Sequence, residues 1–173
     1  FLCEDFVRDK DAVSACAILA EIAAWAKDQG ITMYQLLQNI YVQYGFSKEK
    51  GISVVKKGKS GAEEIEAMMK HFRENPLQEI AGSKVTLFYD YASLKGKDYV
   101  ENEILSLDMP TTSNVLQYFT EDGTKVSIRP SGTEPKIKFY CEVHSKVKSL
   151  DELPAAEKAG EEKIEAIKAS LGI

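Results

Sequence analysis

The stretch Val115-LQYFTEDGTKVSIRPSGTEPKIKFYCE-Val143, residues 115–143, decides the fold. Three short runs in it, 115–119, 126–128 and 137–143, are rich in β-branched and aromatic residues and alternate with period two, which predicts three strands. Asp122-Gly123 between the first two is a strong hairpin-turn dipeptide, because both residues tolerate the backbone that a tight turn demands. In the last run Ile137, Phe139, Cys141 and Val143 fall on one face and Lys138, Tyr140 and Glu142 on the other. A sheet with one apolar face needs something apolar laid against it.

The neighbouring sequence supplies it. Upstream, Val85, Leu87, Tyr89 and Tyr91 alternate as a fourth strand, and Ile52 and Val54 mark another after Gly51. Between these lies a helix with Ile65, Met68, Met69 and Phe72 on one side, opened by a capping box at Ser60 and Glu63 and stopped before Pro76. Downstream, Ser149 and Glu152 form another capping box and Pro154 suits a first helical turn. Ile164, Ile167 and Leu171 then line a terminal helix. Residues 92–113 are polar and carry no readable period. The order strand, helix, four strands, helix predicts an α+β fold, an antiparallel sheet flanked by helices.

The first 45 residues read differently. Asp11 to Gln29 is full of helix formers with Gly30 where a helix would stop, and its apolar residues run nearly all round. Such a helix wants neighbours on several sides. Thr32 and Gln35 make a capping box, after which Met33, Leu36, Leu37, Ile40, Tyr41 and Tyr44 recur at helical spacing as far as Gly45. The expectation is a helical hairpin over 1–45 and a separate domain over 46–173. The opening string FLCEDFVRDKD reads as the interior of a longer chain.

Composition narrows the partners. With 173 residues, 44% hydrophobic and 28% charged, a packed core is expected. A net charge of -5 argues against a nucleic-acid surface, which needs clustered Lys and Arg, so any anion site must be local. Three widely spaced cysteines, Cys3, Cys16 and Cys141, suit reduced thiols in a cytoplasmic setting. The apolar run 15–26 is too short to span a bilayer and is broken by Glu21.

Between two strands sits Arg129-Pro-Ser-Gly-Thr-Glu-Pro-Lys136. Arg129 offers a planar fork for bidentate contact with phosphate oxygens. Ser131 and Thr133 add hydroxyls, and Gly132 lets backbone amides approach an anion closely. Pro130 and Pro135 restrict the chain, so less entropy is lost on binding. By composition alone the same residues serve an ordinary surface turn equally well. Their order, and the strand that follows, favour the phosphate.

Taken with the IKFY strand at 137–140, RPSGTEPK resembles the phosphate-binding loop of the α-D-phosphohexomutases, the phosphoglucomutase and phosphomannomutase superfamily. FVRDKDAVSA at 6–15 and YVQYG at 41–45 are similar to the end of that family's third domain, in its phosphoglucomutase/phosphopentomutase-like branch. The resemblance implies that 1–45 is a helical remnant of that preceding α/β domain and that 46–173 is the fourth, C-terminal domain. It implies an isomerase that moves phosphate between sugar hydroxyls, glucose 1-phosphate to glucose 6-phosphate, through a phosphoserine and a bisphosphate intermediate. In this scheme Arg129, Ser131, Gly132 and Thr133 would hold the substrate's non-reacting phosphate with Lys138 as a further cation, and Lys10 and Arg8 would contact the phosphosugar.

The family's phosphoserine loop and its D-x-D-x-D magnesium loop do not occur; Asp9 and Asp11 make only D-x-D, which suits helix capping. The resemblance therefore places Mg2+, a glucose 1,6-bisphosphate-type activator and every catalytic residue with the missing N-terminal domains, and leaves this chain inactive alone. The rival expectation is a stand-alone module that binds phosphate or sugar phosphate without catalysis. Gly58-Lys59-Ser60 resembles the end of a Walker A loop, but Ser53 stands where its first glycine belongs. His71 and His144 have no ligand-spaced partners, so no metal site is expected.

Overall fold

A computed structural model describes residues 10–56 and 58–173, except for the Lys59 side chain. The chain divides into two compact units. One holds the described residues up to Gly45 together with Lys146–Leu153, and the other holds Phe46–Ser145 with Pro154–Ile173.

The first unit is built on helices α1 (Ala12–Asp28) and α2 (Met33–Tyr44). Asp11 caps α1, its carboxylate accepting the Val13 and Ser14 amides at 2.9 and 3.3 Å. The helix stops at Gly30, whose φ of +71° is open to glycine. Gly30 and Ile31 amides then donate to the Lys27 and Ala26 carbonyls, a Schellman closure. The Thr32–Gln35 capping box is formed, with both reciprocal bonds present. α2 buries none of its side chains, and Val13, Trp25, Tyr34 and Tyr44 are all more than half exposed. Ala26, Val147 and Leu153 are the buried apolar residues here.

The second unit is the expected antiparallel sheet with helices. Its strands are β1 (Phe46–Val55), β2 (Glu79–Ile80), β3 (Ser83–Asp90), β4 (Lys95–Asp98), β5 (Glu103–Ser106), β6 (Leu116–Thr120), β7 (Lys125–Pro130) and β8 (Lys136–Ser145). They lie in the order β1-β8-β7-β6-β3-β4-β5, with β2 paired to β3. Helices α3 (Gly58–Glu74) and α4 (Leu153–Leu171) supply the covering layer. Ile65, Met69 and Phe72 of α3 and Ile164, Ile167 and Leu171 of α4 join Leu116, Tyr118, Val126, Ile128, Ile137 and Phe139 in one core. The alternation read from β8 holds, since Ile137, Phe139 and Cys141 are at most 1% exposed.

Three local expectations need correction, and one unassigned span takes form. The unassigned span 92–113 contains the β4–β5 hairpin. Its short polar strands sit at the sheet edge, and its turn rests on Asp98 accepting the Val100 and Glu101 amides and on Asn102 at φ +57°. Val85, Leu87 and Tyr89 do not share one face. A bulge between Val85 and Leu87 shifts the register with β6, so the buried residues become Ser83, Val85, Phe88 and Asp90. Ser60 does not cap α3, because the helix already starts at Gly58. Ser149 makes no capping bond with its side chain, and Glu152 instead accepts the Lys148 amide at 2.8 Å.

Candidate phosphate-binding site

β7 and β8 form a hairpin whose connection is residues 131–135. The ladder runs to its end, with Arg129 opposite Lys138 and Pro130 opposite Ile137. Cross-strand partners share a face. Ile128, Ile137 and Phe139 turn into the core, so Arg129 and Lys138 stand side by side on the opposite face, beside the loop.

The loop is held at three backbone points. Ser131 N–H donates to the Lys136 carbonyl at 2.8 Å, Lys136 N–H donates to the Glu134 carbonyl at 2.7 Å, and Lys56 N–H donates to the Pro135 carbonyl at 2.9 Å. The last bond ties the loop to the end of β1. Pro130 and Pro135 have no N–H to satisfy. The amides of Gly132, Thr133 and Glu134 donate to no acceptor among the described residues, and Gly132 to Pro135 are exposed. Ser131 is half-buried; its hydroxyl and that of Thr133 also have no partner among the described residues.

Gly132 has neither a positive φ nor a crowded Cβ direction: a methyl group there would meet nothing within 4 Å. Nothing inside the described chain demands glycine at 132. The space beside it is open.

The charges are unevenly matched. Arg129 forms no ion pair with any described carboxylate and is exposed. Glu134 pairs with Lys136, and its carboxyl is held below the usual range by that hydrogen bond first and by the charges of Lys136 and Lys138. Lys136 lies on the same strand face as Lys138, two residues on. The sequence reading does not single Lys136 out as a site residue, although the i, i+2 spacing on a strand is the signal for it.

The structure therefore brings Arg129, Ser131, Gly132, Thr133 and Lys138 to one end of one hairpin. Lys10 belongs to the other unit, exposed, one residue before the α1 cap. Arg8 lies outside the described residues, as do Cys3 and Asp9. Among the described residues no three His, Cys, Asp or Glu side chains are grouped as metal ligands, and no helix is long and apolar enough to cross a membrane.

Residues 53–160, which span the loop and both its strands, match the family model described as phosphoglucomutase/phosphomannomutase, C-terminal domain. The chain belongs to this family. It is similar to a phosphoglucomutase of Staphylococcus aureus strain MRSA252, 40% identical over 147 residues that cover 81% of this chain and 25% of that one. A phosphoglucomutase of Staphylococcus haemolyticus strain JCSC1435 is 35% identical over 144 residues, 83% of this chain and 26% of its own. The chain thus spans about a quarter of the length of the curated relatives it matches. Among solved structures, a Paramecium parafusin phosphoglucomutase in an open form aligns with a TM-score of 0.45 at 19% identity, covering 98% of this chain and 29% of that one.

Proposed function

We propose that this chain is the phosphate-gripping C-terminal part of a sugar-phosphate mutase that interconverts glucose 1-phosphate and glucose 6-phosphate. One observation carries the reading: Arg129, which pairs with no described carboxylate, stands beside Lys138 and adjoins a turn whose amides at 132–134 and two hydroxyls are unclaimed within the described chain. Arg129 would take two phosphate oxygens in its fork, Lys138 would act as a point charge, and the amides would cradle the rest. The open space at Gly132 suits an anion coming down onto bare backbone.

Residues 46–173 would be the mutase's fourth domain and 1–45 the end of its third, with the exposed apolar sides of α1 and α2 facing the remainder of that domain. Lys10 and Arg8 would contact the phosphosugar. The phosphoserine, Mg2+ and the bisphosphate intermediate belong, in this reading, to the longer protein, and Mg2+ is assigned to no residue of this chain. A bisphosphate that turns over between two half-reactions must offer either phosphate to the same grip. A loop that reads a phosphate and little of the sugar meets that need.

The test is a titration of the isotope-labelled chain with inorganic phosphate, followed by amide chemical shifts. Shifts should concentrate at 131–134, and Arg129→Ala should weaken binding roughly tenfold or more. In the longer enzyme the same substitution should cost about 2 to 4 kcal/mol in kcat/KM. Shifts scattered elsewhere, or an Arg129→Ala chain that binds as well as wild type, would refute the proposal.

A further inference from the structure

Three cations meet at the mouth of the loop: Arg129 on β7, and Lys136 and Lys138 on the same face of β8. Among the described residues only Lys136 has a carboxylate on it, and that carboxylate comes from the loop itself, three residues past Ser131. Glu134 is well exposed, so its pairing is not forced by burial. Its charge is stabilised by Lys138 as well as Lys136, which puts it in the field of the same cations an anion would seek. An anionic side chain at that place works against a dianion twice, by repelling it and by occupying Lys136.

Resting on the phosphate reading above, we propose that Glu134 is a built-in counter-ion of the cradle, and that an incoming phosphate takes Lys136 from it. Lys136 is then a further phosphate ligand, unmasked on binding, and Glu134 sets how tightly phosphate is held. A grip that is too strong in the ground state slows a reaction whose phosphate has to be released and re-presented. The carboxylate also keeps Lys136 placed and its charge balanced while the loop is empty, so the loop rests at a lower net charge than its three cations alone would give.

The experiment compares wild type, Glu134→Gln, Glu134→Ala and Lys136→Gln, each as the whole 173-residue chain, titrated with inorganic phosphate and read at the 131–134 amides. Both Glu134 variants should bind phosphate roughly three- to tenfold more tightly, the scale of one exposed charge removed at close range. Lys136→Gln should bind more weakly than wild type. If wild type binds at the loop and neither Glu134 variant binds more tightly, the counter-ion role is wrong while the phosphate site stands. Lys136→Gln binding as well as wild type would remove Lys136 from the ligand set. An absence of phosphate-dependent shifts in every chain would overturn both the site and the counter-ion.

Discussion

Asp122 shows how one side chain can tie an end of the fold together. Its Oδ1 accepts the Thr120 hydroxyl at 2.6 Å and the Thr124 amide at 3.2 Å, and its Oδ2 receives Lys163 Nζ from α4 at 2.6 Å. Lys163 also donates to the Ala81 carbonyl at 3.0 Å, so this cluster joins α4 to two turns at the end of β7 away from the 131–135 loop. Partial burial works against ionisation of Asp122, but the hydrogen bonds from Lys163, Thr120 and Thr124 outweigh it and hold the carboxyl well below its ordinary value of 3.8. A depressed carboxyl contributes stability that is fully present above its unfolded pKa and is lost as pH falls toward the folded one. Wild type should therefore lose stability below about pH 4. Asp122→Asn should start less stable at pH 7 and lose less between pH 4 and pH 2. Urea midpoints measured across that range check it, and parallel losses in the two chains would contradict it.

At the scale of elements, the junction of β1 and α3 leaves no room for a side chain at Gly61. A glycine inside a helix ordinarily costs about 0.5 to 1 kcal/mol relative to alanine. Gly61 departs from that rule, because a Cβ there would lie 2.3 Å from the Lys56 carbonyl oxygen, a backbone atom with little freedom to move. Gly61→Ala should thus destabilise the chain, by about 1 to 3 kcal/mol of overpacking, where helix propensity alone predicts a gain. A raised urea midpoint would show that the junction yields. Lys56 also donates its amide to Pro135, so the same substitution should disturb the 131–134 amide resonances before any phosphate is added. The β3 bulge is the other element-level device. One extra residue sends Phe88 into the core and leaves Leu87 and Tyr89 on the open face, where Tyr89 packs against Phe119 with ring centroids 5.4 Å apart.

Across the whole molecule, the two units differ in how much they bury. Cys16 on α1 is exposed, whereas Cys141 on β8 is 1% exposed and burial pushes its thiol up to about 11, against a smaller opposing pull from Lys50. The thiolate is the reactive form. An alkylating reagent at neutral pH should modify Cys16 within minutes and reach Cys141 only when the sheet unfolds. Mass spectrometry of a urea series would then report global unfolding of the second unit from Cys141 alone. Labelling of Cys141 in the native chain at a rate like that of Cys16 would mean that the sheet opens without unfolding.

The sequence by itself determined the antiparallel sheet, its apolar layer and which residues make the loop, because period-two alternation, Asp122-Gly123 and the RPSGTEPK order are local facts. Ile137, Phe139 and Cys141 are buried as their spacing says, and the capping box at Thr32 forms because its partners are three residues apart. Only the tertiary structure decided the rest. The bulge exists in the pairing of β3 with β6, not in either strand. The β4–β5 strands form by pairing, β4 with β3 and β5 with β4, which their polar residues do not announce. Ser60 and Ser149 carry capping signatures that the helix starts do not use, since packing sets where a helix begins. The tether from Lys56 to Pro135 and the placing of Arg129 opposite Lys138 arise where separate segments meet. Where the pairing is regular, as in β8, spacing along the strand fixes which face a side chain takes; at the β3 bulge only the closing of the sheet fixes the face, and everywhere it fixes what stands opposite.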